Sequence, residues 1–180
     1  MNKWDKSYSI GRDFSQLSTQ QVQQLASMSG DESSNKTFLD VGCGSGALVR
    51  DMFHLGFVAH GIDPSDVAVQ IARDSTVYSG EKIDFVVGSA GNAPLATYDL
   101  IACKYVIAFV DDRHEFLAEV ATRMGAHSTL VIITPDTTTL PDNKKNIAID
   151  DAILMNELPE IFSTIDKQAI ARDWWYVCRL

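Results

Sequence analysis

From residue 37 onwards, short and almost wholly apolar segments alternate with segments that are apolar on one face only. The apolar segments have the length of buried strands and cover Thr37–Val41, Phe57–Asp63, Lys82–Gly88, Tyr98–Lys104 and Thr129–Thr134. The segments between them show helical spacing and cover Ala47–Leu55, Ser65–Ser75 and a stretch capped by Asp112 with an apolar face reaching Met124. Such an alternation predicts a parallel sheet with helices on both faces.

The C-terminal part departs from this alternation. A helix is predicted from Asp150 or Asp151 to about Phe162, and two strands follow it, Thr164–Ala171 and Trp174–Arg179. Only a few residues join these two strands, which fits an antiparallel hairpin and not a crossover between parallel strands. We therefore expect a mostly parallel sheet that ends in an antiparallel strand.

The first 36 residues form a separate unit in the pattern. Ser18 and Gln21 have the spacing of a capping box, in which the two side chains satisfy free amides at a helix start. Apolar residues then recur at helical spacing as far as Met28, and Gly30 is a natural stop. We divide the chain into an N-terminal segment with one helix, residues 1–36, and a main domain, residues 37–180.

A polar loop, Pro135–Ile149, follows the fifth predicted strand. Loops of this length are uncommon inside compact domains and are often functional. This one leaves the carboxyl end of a strand, where open α/β sheets bind ligands. It is interpreted either as part of a binding site or as a plain connection.

Charge and composition restrict the classes of partner. The net charge is -9 and the sequence pI about 4.7, so the surface repels phosphate backbones and nucleic acid is not an expected partner. No run of about 18 apolar residues predicts a membrane span, and the N-terminus lacks the apolar stretch of a secretory signal. Cys43, Cys103 and Cys178 lie far apart without metal-ligand spacing, which predicts reduced thiols, no metal site and a cytoplasmic location. The oligomeric state is not indicated.

Three glycines, Gly42, Gly44 and Gly46, follow the first strand and open the next helix. Glycines permit a tight turn and a close approach of a ligand to the backbone, and the helix start offers free N–H groups. The pattern fits a nicotinamide dinucleotide as well as other adenosine-containing cofactors. Asp63, about 20 residues on, would accept hydrogen bonds from ribose hydroxyls in each case.

Asp40 distinguishes these cofactors. It lies inside an otherwise apolar strand, two residues before the first glycine. A buried carboxylate is costly unless it is paired, and it would repel a pyrophosphate. S-adenosylmethionine carries a sulfonium and an ammonium group and no phosphate, so the acid before the glycines favours this cofactor.

With these features the chain resembles the class I S-adenosylmethionine-dependent methyltransferases. The similarity rests on segments in order along the chain: LDVGCGSG (39–46), GIDPS (61–65), VGSAGNAPL (87–95), YDLIACKYVIAFVDD (98–112) and MGAHSTLVIITP (124–135). It implies an α/β fold, a three-layer Rossmann-like sandwich whose seven-stranded sheet is mostly parallel with an antiparallel last strand. It also implies methyl transfer by in-line displacement from the sulfonium, with alignment supplying much of the rate.

The resemblance assigns roles to individual residues. Those around the methionine part of the cofactor would be Asp40, Gly42, Cys43, Gly44 and Gly46, with Lys104 offering its backbone carbonyl to the ammonium group. Asp63 would hold the ribose, Pro64 would pack beside the adenine, and Ser89 and Ala90 would contact the adenine edge. Trp4 and Tyr8 are similar to an aromatic segment that closes over the site, and Tyr105 lies where an acceptor would approach.

The chain departs from the family pattern in ways that affect the prediction. Ser89 stands where an acidic residue is frequent, which predicts a weaker cofactor contact, and Phe109 stands where many members carry a histidine. Lys104–Ile107 replaces the N-P-P-Y of the enzymes that methylate amino groups of adenine or glutamine amides, which argues against that class. The acidic charge and the small size fit a small-molecule acceptor, and no catalytic base is identified. A dinucleotide-binding oxidoreductase and a catalytically silent methyltransferase-like protein stay open as alternatives.

Overall fold

The computed structural model describes residues 3–11, 15–30, 35–77, 80 and 82–180. Its strands within these ranges are β1 Thr37–Val41, β2 Val58–Asp63, β3 Ile83–Val87, β4 Tyr98–Lys104, β5 Met124–Pro135, β6 Thr164–Ile170 and β7 Asp173–Arg179. The α-helices are α1 Lys3–Ser9, α2 Thr19–Ser27, α3 Ala47–His54, α4 Asp66–Asp74, α5 Arg113–Ala121 and α6 Asp151–Glu157. Among the described residues, no helix is long and apolar enough to cross a membrane.

The strands form one sheet in the order β3-β2-β1-β4-β5-β7-β6. The pairs among β1 to β5 are parallel, whereas β7 is antiparallel to both β5 and β6. The predicted fold class is therefore confirmed. The strand order reverses between β1 and β4, and open α/β sheets bind ligands outside the carboxyl ends of the strands at such a point.

Capping side chains set the start of several helices. Ser18 and Gln21 form the predicted capping box at α2. Ser65 accepts a hydrogen bond from the backbone of Ala68 at the start of α4, and Asp112 caps α5 as predicted. These caps place the first turns of α4 and α5 beside the carboxyl ends of the parallel strands.

The hydrophobic core lies on both faces of the sheet. On β1, Phe38 and Leu39 are both fully buried and point to opposite faces, because successive side chains of a strand alternate. One face packs against α2, α3 and α4, and the other against α5 and α6. Burial on both faces explains why the strands appear as continuous apolar runs rather than alternating ones.

β5 begins five residues earlier than the sequence indicates. Met124, predicted on the apolar face of α5, is the first residue of β5. Ser128 holds this extension, since its hydroxyl accepts a hydrogen bond from the Gly125 N–H at 2.6 Å and donates to the Tyr98 carbonyl at 2.5 Å. The apolar spacing of α5 continues by chance as far as Met124, although the helix ends at Ala121. The hydrogen bonds of Ser128 that hold the start of β5 cannot be predicted from the pattern of apolar residues.

Candidate active site

A cavity of about 310 Å³ opens at the carboxyl ends of β1, β2 and β4, where the strand order reverses. Its lining comes from the glycine loop, the turn after β2, the segment after β4 and the N-terminal segment. The predicted site residues that line it are Trp4, Tyr8, Asp40, Gly42, Cys43, Gly44, Asp63, Pro64, Ser89, Lys104 and Tyr105. Residues far apart in the sequence thus meet at one place.

The glycine loop is held against the end of β2. The N–H groups of Gly42 and Cys43 both donate to the Ile62 carbonyl, at 2.7 and 3.0 Å. Gly42 and Gly44 have φ values of +80° and +54°, which side chains rarely adopt. A Cβ at Gly42 would collide with Val106, and one at Gly44 would lie 2.5 Å from the Tyr8 hydroxyl oxygen.

Gly46 and Ala90 do not reach the cavity, in contrast to the prediction. A Cβ at Gly46 would lie 2.5 Å from the Phe85 ring, so this glycine allows α3 to approach the sheet closely. The Ala90 side chain is fully buried in the core beneath the loop that carries Ser89. Both residues support the loops that line the cavity by packing against the core. The loop after β5 also contributes no residue to the cavity lining, and its residues Asp142–Ile147 form a 3₁₀ helix.

Asp40 places a buried acidic side chain in the cavity wall. The side chain is buried, and among the described residues its Oδ1 has no hydrogen-bond partner. Burial raises the pKa of Asp40 to about 7, with Lys104 opposing the shift and Asp63 adding to it. A buried carboxylate with an unsatisfied oxygen is costly, and a ligand with a cationic group would give that oxygen a partner.

Asp63 is buried, lines the cavity and also has a structural role. Its Oδ2 accepts from the Gly44 N–H at 3.0 Å, and its Oδ1 accepts from the Ser65 N–H at 2.8 Å. Burial raises the pKa of Asp63, and these two hydrogen bonds oppose the shift. The carboxylate therefore fixes the glycine loop to the start of α4. The bond to Ser65 agrees with a helix-capping role that the sequence allows, whereas the bond to Gly44 was not predicted, because it depends on the distance between two loops.

Described residues of the N-terminal segment contribute to the cavity lining. Ser65 donates to Asp5 of α1 at 2.6 Å, and the Lys104 ammonium donates to the Ser15 carbonyl at 2.9 Å. The Trp4 ring meets Phe109 edge to face, with centroids 4.9 Å apart. Trp4 of the segment thus packs directly against Phe109 of the main domain.

Tyr105 directly follows β4 and has an unusual backbone conformation. Its φ is +59°, a region that costs about 1–3 kcal/mol for a residue with a side chain. The strained backbone aims the Tyr105 hydroxyl at Asp173, to which it donates at 2.8 Å, and burial raises the pKa of that carboxyl. The Lys104 ammonium lies 4.7 Å from the centre of the Tyr105 ring. The end of the cavity near β4 therefore combines aromatic rings with one ammonium group.

Several cavity residues were missed by the sequence analysis as site residues. Val106 and Phe116 are apolar and look like ordinary core positions, and Asp51 looks like a solvated helix residue. Nothing in their spacing marks them, because they reach the cavity through packing of α3, α5 and the turn after β4. Among the described residues, no group of histidine, cysteine or acidic side chains could hold a metal ion.

The arrangement fits an adenosyl cofactor with a cationic amino-acid part. Asp40 offers a carboxylate oxygen, Oδ1, that has no hydrogen-bond partner among the described residues, and Asp63 lies nearby at the end of β2. Ser89 and Pro64 line the cavity on the side of β3 and α4. A pyrophosphate would instead meet two carboxylates and no positive partner on the loop.

Comparison with known proteins agrees with this fit. Residues 39–132 match the methyltransferase domain family. The ubiquinone biosynthesis O-methyltransferase of Schizosaccharomyces pombe mitochondria is 30% identical over 112 residues, which are 59% of this chain and 40% of that protein. The Thiobacillus denitrificans enzyme of the same name is 34% identical over 89 residues, 48% of this chain and 38% of that protein. The chain thus spans about 40% of the length of these curated relatives.

Solved structures show the same fold at low identity. A TehB-like S-adenosylmethionine-dependent methyltransferase from Corynebacterium glutamicum has a TM-score of 0.69 at 15% identity, covering 98% of this chain and 94% of that one. Magnesium protoporphyrin IX methyltransferase from Synechocystis, solved with bound S-adenosylmethionine, has a TM-score of 0.65 at 15% identity, covering 97% and 88%. The chain belongs to the methyltransferase domain family, whose methyl donor is S-adenosylmethionine.

Proposed function

We propose that this chain is an S-adenosylmethionine-dependent methyltransferase with a small-molecule acceptor. The observation that carries the proposal is the buried carboxylate of Asp40, which lines the cavity beside the glycine loop and whose Oδ1 has no hydrogen-bond partner among the described residues. A cofactor with a sulfonium and an ammonium group relieves that cost, whereas a dinucleotide does not.

The cavity residues divide into a donor part and an acceptor part. Asp40, Gly42, Cys43 and Gly44 would hold the amino-acid end of the cofactor, together with the Lys104 carbonyl. Asp63 would accept hydrogen bonds from the ribose, and Pro64 and Ser89 would flank the adenine. When bound, S-adenosylmethionine supplies a methyl group that is already activated on a sulfonium. The remaining task of the chain is to bind, align and exclude water.

The acceptor part would be formed by aromatic side chains. Trp4, Tyr8, Tyr105 and Phe109 line the cavity close to the N-terminal segment, and they suit a flat, partly apolar molecule. The segment 1–36 would act as a cap over that molecule. The relatives are named as O-methyltransferases, which supports a hydroxyl group as the methyl acceptor.

The acceptor proton needs a base only if the hydroxyl is not already ionised. Among the described cavity residues there is no histidine, so alignment would contribute most of the rate. Well-oriented reactants gain on the order of 7–11 kcal/mol from alignment alone. We expect phenols of low pKa to be methylated faster than aliphatic alcohols.

The test has two stages. Isothermal titration calorimetry with S-adenosylmethionine, S-adenosylhomocysteine and NAD should show binding of the adenosyl ligands only. A panel of phenols, catechols, carboxylic acids and amines is then assayed for release of S-adenosylhomocysteine. Binding of NAD alone would overturn the proposal. Adenosyl binding without turnover on any acceptor would favour the catalytically silent alternative.

A further inference from the structure

Glu119 lies behind the adenine end of the cavity, on a helix that no site motif marks. It belongs to α5, and its Oε1 accepts a hydrogen bond from the Ser89 hydroxyl at 2.6 Å and another from the Gly91 N–H at 2.9 Å. A second pocket, which Glu119 lines, meets the main cavity at Ser89 and Phe116. Ser89 therefore lies between the Glu119 carboxylate and the proposed cofactor.

The bond to Glu119 fixes the direction of the Ser89 hydroxyl. A serine hydroxyl has one proton to donate and two lone pairs to accept with. Glu119 takes that proton at 2.6 Å, while the competing acceptor, Asn92 Oδ1, is 3.5 Å away and neutral. A short bond to a charged acceptor is the stronger one. With its proton engaged, Ser89 can only accept a hydrogen bond from a group in the main cavity.

We propose that Glu119 is a positioning residue that makes Ser89 an obligate hydrogen-bond acceptor for the 6-amino group of adenine. The inference rests on the proposed function, because it assumes an adenosyl ligand in the cavity. An amino group donates, whereas the 6-oxo group of hypoxanthine accepts. Without Glu119 the Ser89 hydroxyl could rotate and donate to an oxo group, so the pair gives the site its preference for an amino-bearing purine.

Gly91 provides the space for this arrangement. A Cβ at Gly91 would lie 2.5 Å from Glu119 Oε1, and its backbone is not in the left-handed region that favours glycine. The glycine is therefore explained by the carboxylate and not by the turn. Gly91→Ala would push the Glu119 carboxylate away from Ser89 without removing its charge.

The experiment compares two ligands whose purines differ in the 6-substituent, an amino group in adenine and an oxo group in hypoxanthine, and with it in the proton that hypoxanthine carries on N1. Because wild type and variant meet the same difference at N1, the change in preference between them isolates the Ser89 contact. Affinities for S-adenosylhomocysteine and S-inosylhomocysteine are measured by isothermal titration calorimetry for the wild type and for Glu119→Ala. We expect the wild type to prefer the adenosyl ligand, and Glu119→Ala to lower this preference by roughly 3- to 10-fold, the range for one hydrogen bond. Glu119→Gln should retain most of the preference, because the amide oxygen can accept the same two hydrogen bonds.

Glu115→Ala is the matched control. Glu115 lies one turn earlier on α5 and lines the same second pocket, and the substitution removes the same charge without touching Ser89. We expect its ligand preference to equal that of the wild type. If Glu119→Ala does not fold, Gly91→Ala serves in its place and should lower the preference in the same direction.

Three outcomes would contradict the inference. In the first, Glu119→Ala weakens both ligands equally, which would indicate a structural role. In the second, Glu115→Ala lowers the preference as much, which would indicate charge alone. In the third, the wild type binds both ligands equally. A wild type that binds neither ligand would instead overturn the proposed function.

Discussion

Asp40→Asn should stabilise the free protein while it weakens cofactor binding. The pKa of Asp40 is raised from 3.8 to about 7, chiefly by burial. A shift of about three units corresponds to roughly 4 kcal/mol between the charged and neutral forms, as an upper limit. Asparagine has nearly the same shape and no charge, so it removes this cost.

The sign of the pH dependence follows from the raised pKa. Below about pH 4 the carboxyl is protonated in both the folded and the unfolded chain, and Asp40 costs nothing. Between pH 4 and 7 the unfolded chain ionises first, so the wild type loses stability as pH rises. Above pH 7 both states are ionised and the loss is complete. The advantage of Asp40→Asn should therefore grow by about 2–3 kcal/mol from pH 5 to pH 8.

Urea unfolding of both proteins at pH 5, 6, 7 and 8 measures this difference. Asp51→Asn is the control, because Asp51 lines the same cavity but is exposed. Burial raises the pKa of Asp51 as well, so its substitution should show a pH dependence of the same sign and of smaller size. A difference between Asp40→Asn and the wild type that is equal at pH 5 and pH 8 would refute the reasoning, because it would mean that Asp40 is ionised throughout.

Cofactor binding supplies the second half of the test. A cationic ligand favours ionised Asp40, so binding of S-adenosylmethionine below pH 7 should release a proton from the wild type and none from Asp40→Asn. Calorimetry in two buffers of different ionisation enthalpy counts the protons. Loss of the charged contact should weaken binding by about 10- to 100-fold. Unchanged affinity in Asp40→Asn would place the cationic part of the ligand elsewhere.

Three further substitutions test the remaining parts of the site. Asp63→Ala removes the acceptor of two backbone hydrogen bonds, so it should lower the free energy of unfolding, measured in urea, by about 1–3 kcal/mol. It should also weaken the binding of S-adenosylhomocysteine, measured by calorimetry. An unchanged free energy of unfolding would argue against the structural role of Asp63. Gly44→Ala should abolish tight binding of S-adenosylhomocysteine, whereas Gly56→Ala, also at positive φ but with open space around it, should reduce stability only. Trp4→Ala removes the contact with Phe109 and should raise the KM for the acceptor while cofactor affinity is retained; an equal loss of both would indicate that the segment does not select the acceptor.

The sequence was sufficient for the features that depend on local pattern. Buried strands, amphipathic helices and helix caps each have a characteristic spacing of residues within a short segment. The strands of the sheet and the starts of α2 and α5 could therefore be predicted from that spacing. Asp40 and Asp63 were identifiable because a carboxylate at the end of an apolar strand is unusual. Val106 and Glu119 were not, because an apolar residue after a strand and an acid on a helix are both common. Their roles arise only when β4, α5 and the loop after β3 are packed together.

The loop after β3 shows how close packing within the chain shapes a binding site. A Cβ at Gly88 would collide with Asn92, a Cβ at Gly91 would crowd Glu119, and Ala90 is fully buried in the core. The small residues of this segment are therefore required by neighbours within the chain, and Ser89 is the one whose side chain reaches the cavity. Judged alone, Ser89 is a weak substitute for an acid. Together with Glu119, Ser89 can replace that acid. The Glu119 carboxylate orients the Ser89 hydroxyl by accepting its proton, and the ligand then meets the hydroxyl and not the charged carboxylate. The chemistry expected of one position is thus divided between two positions 30 residues apart.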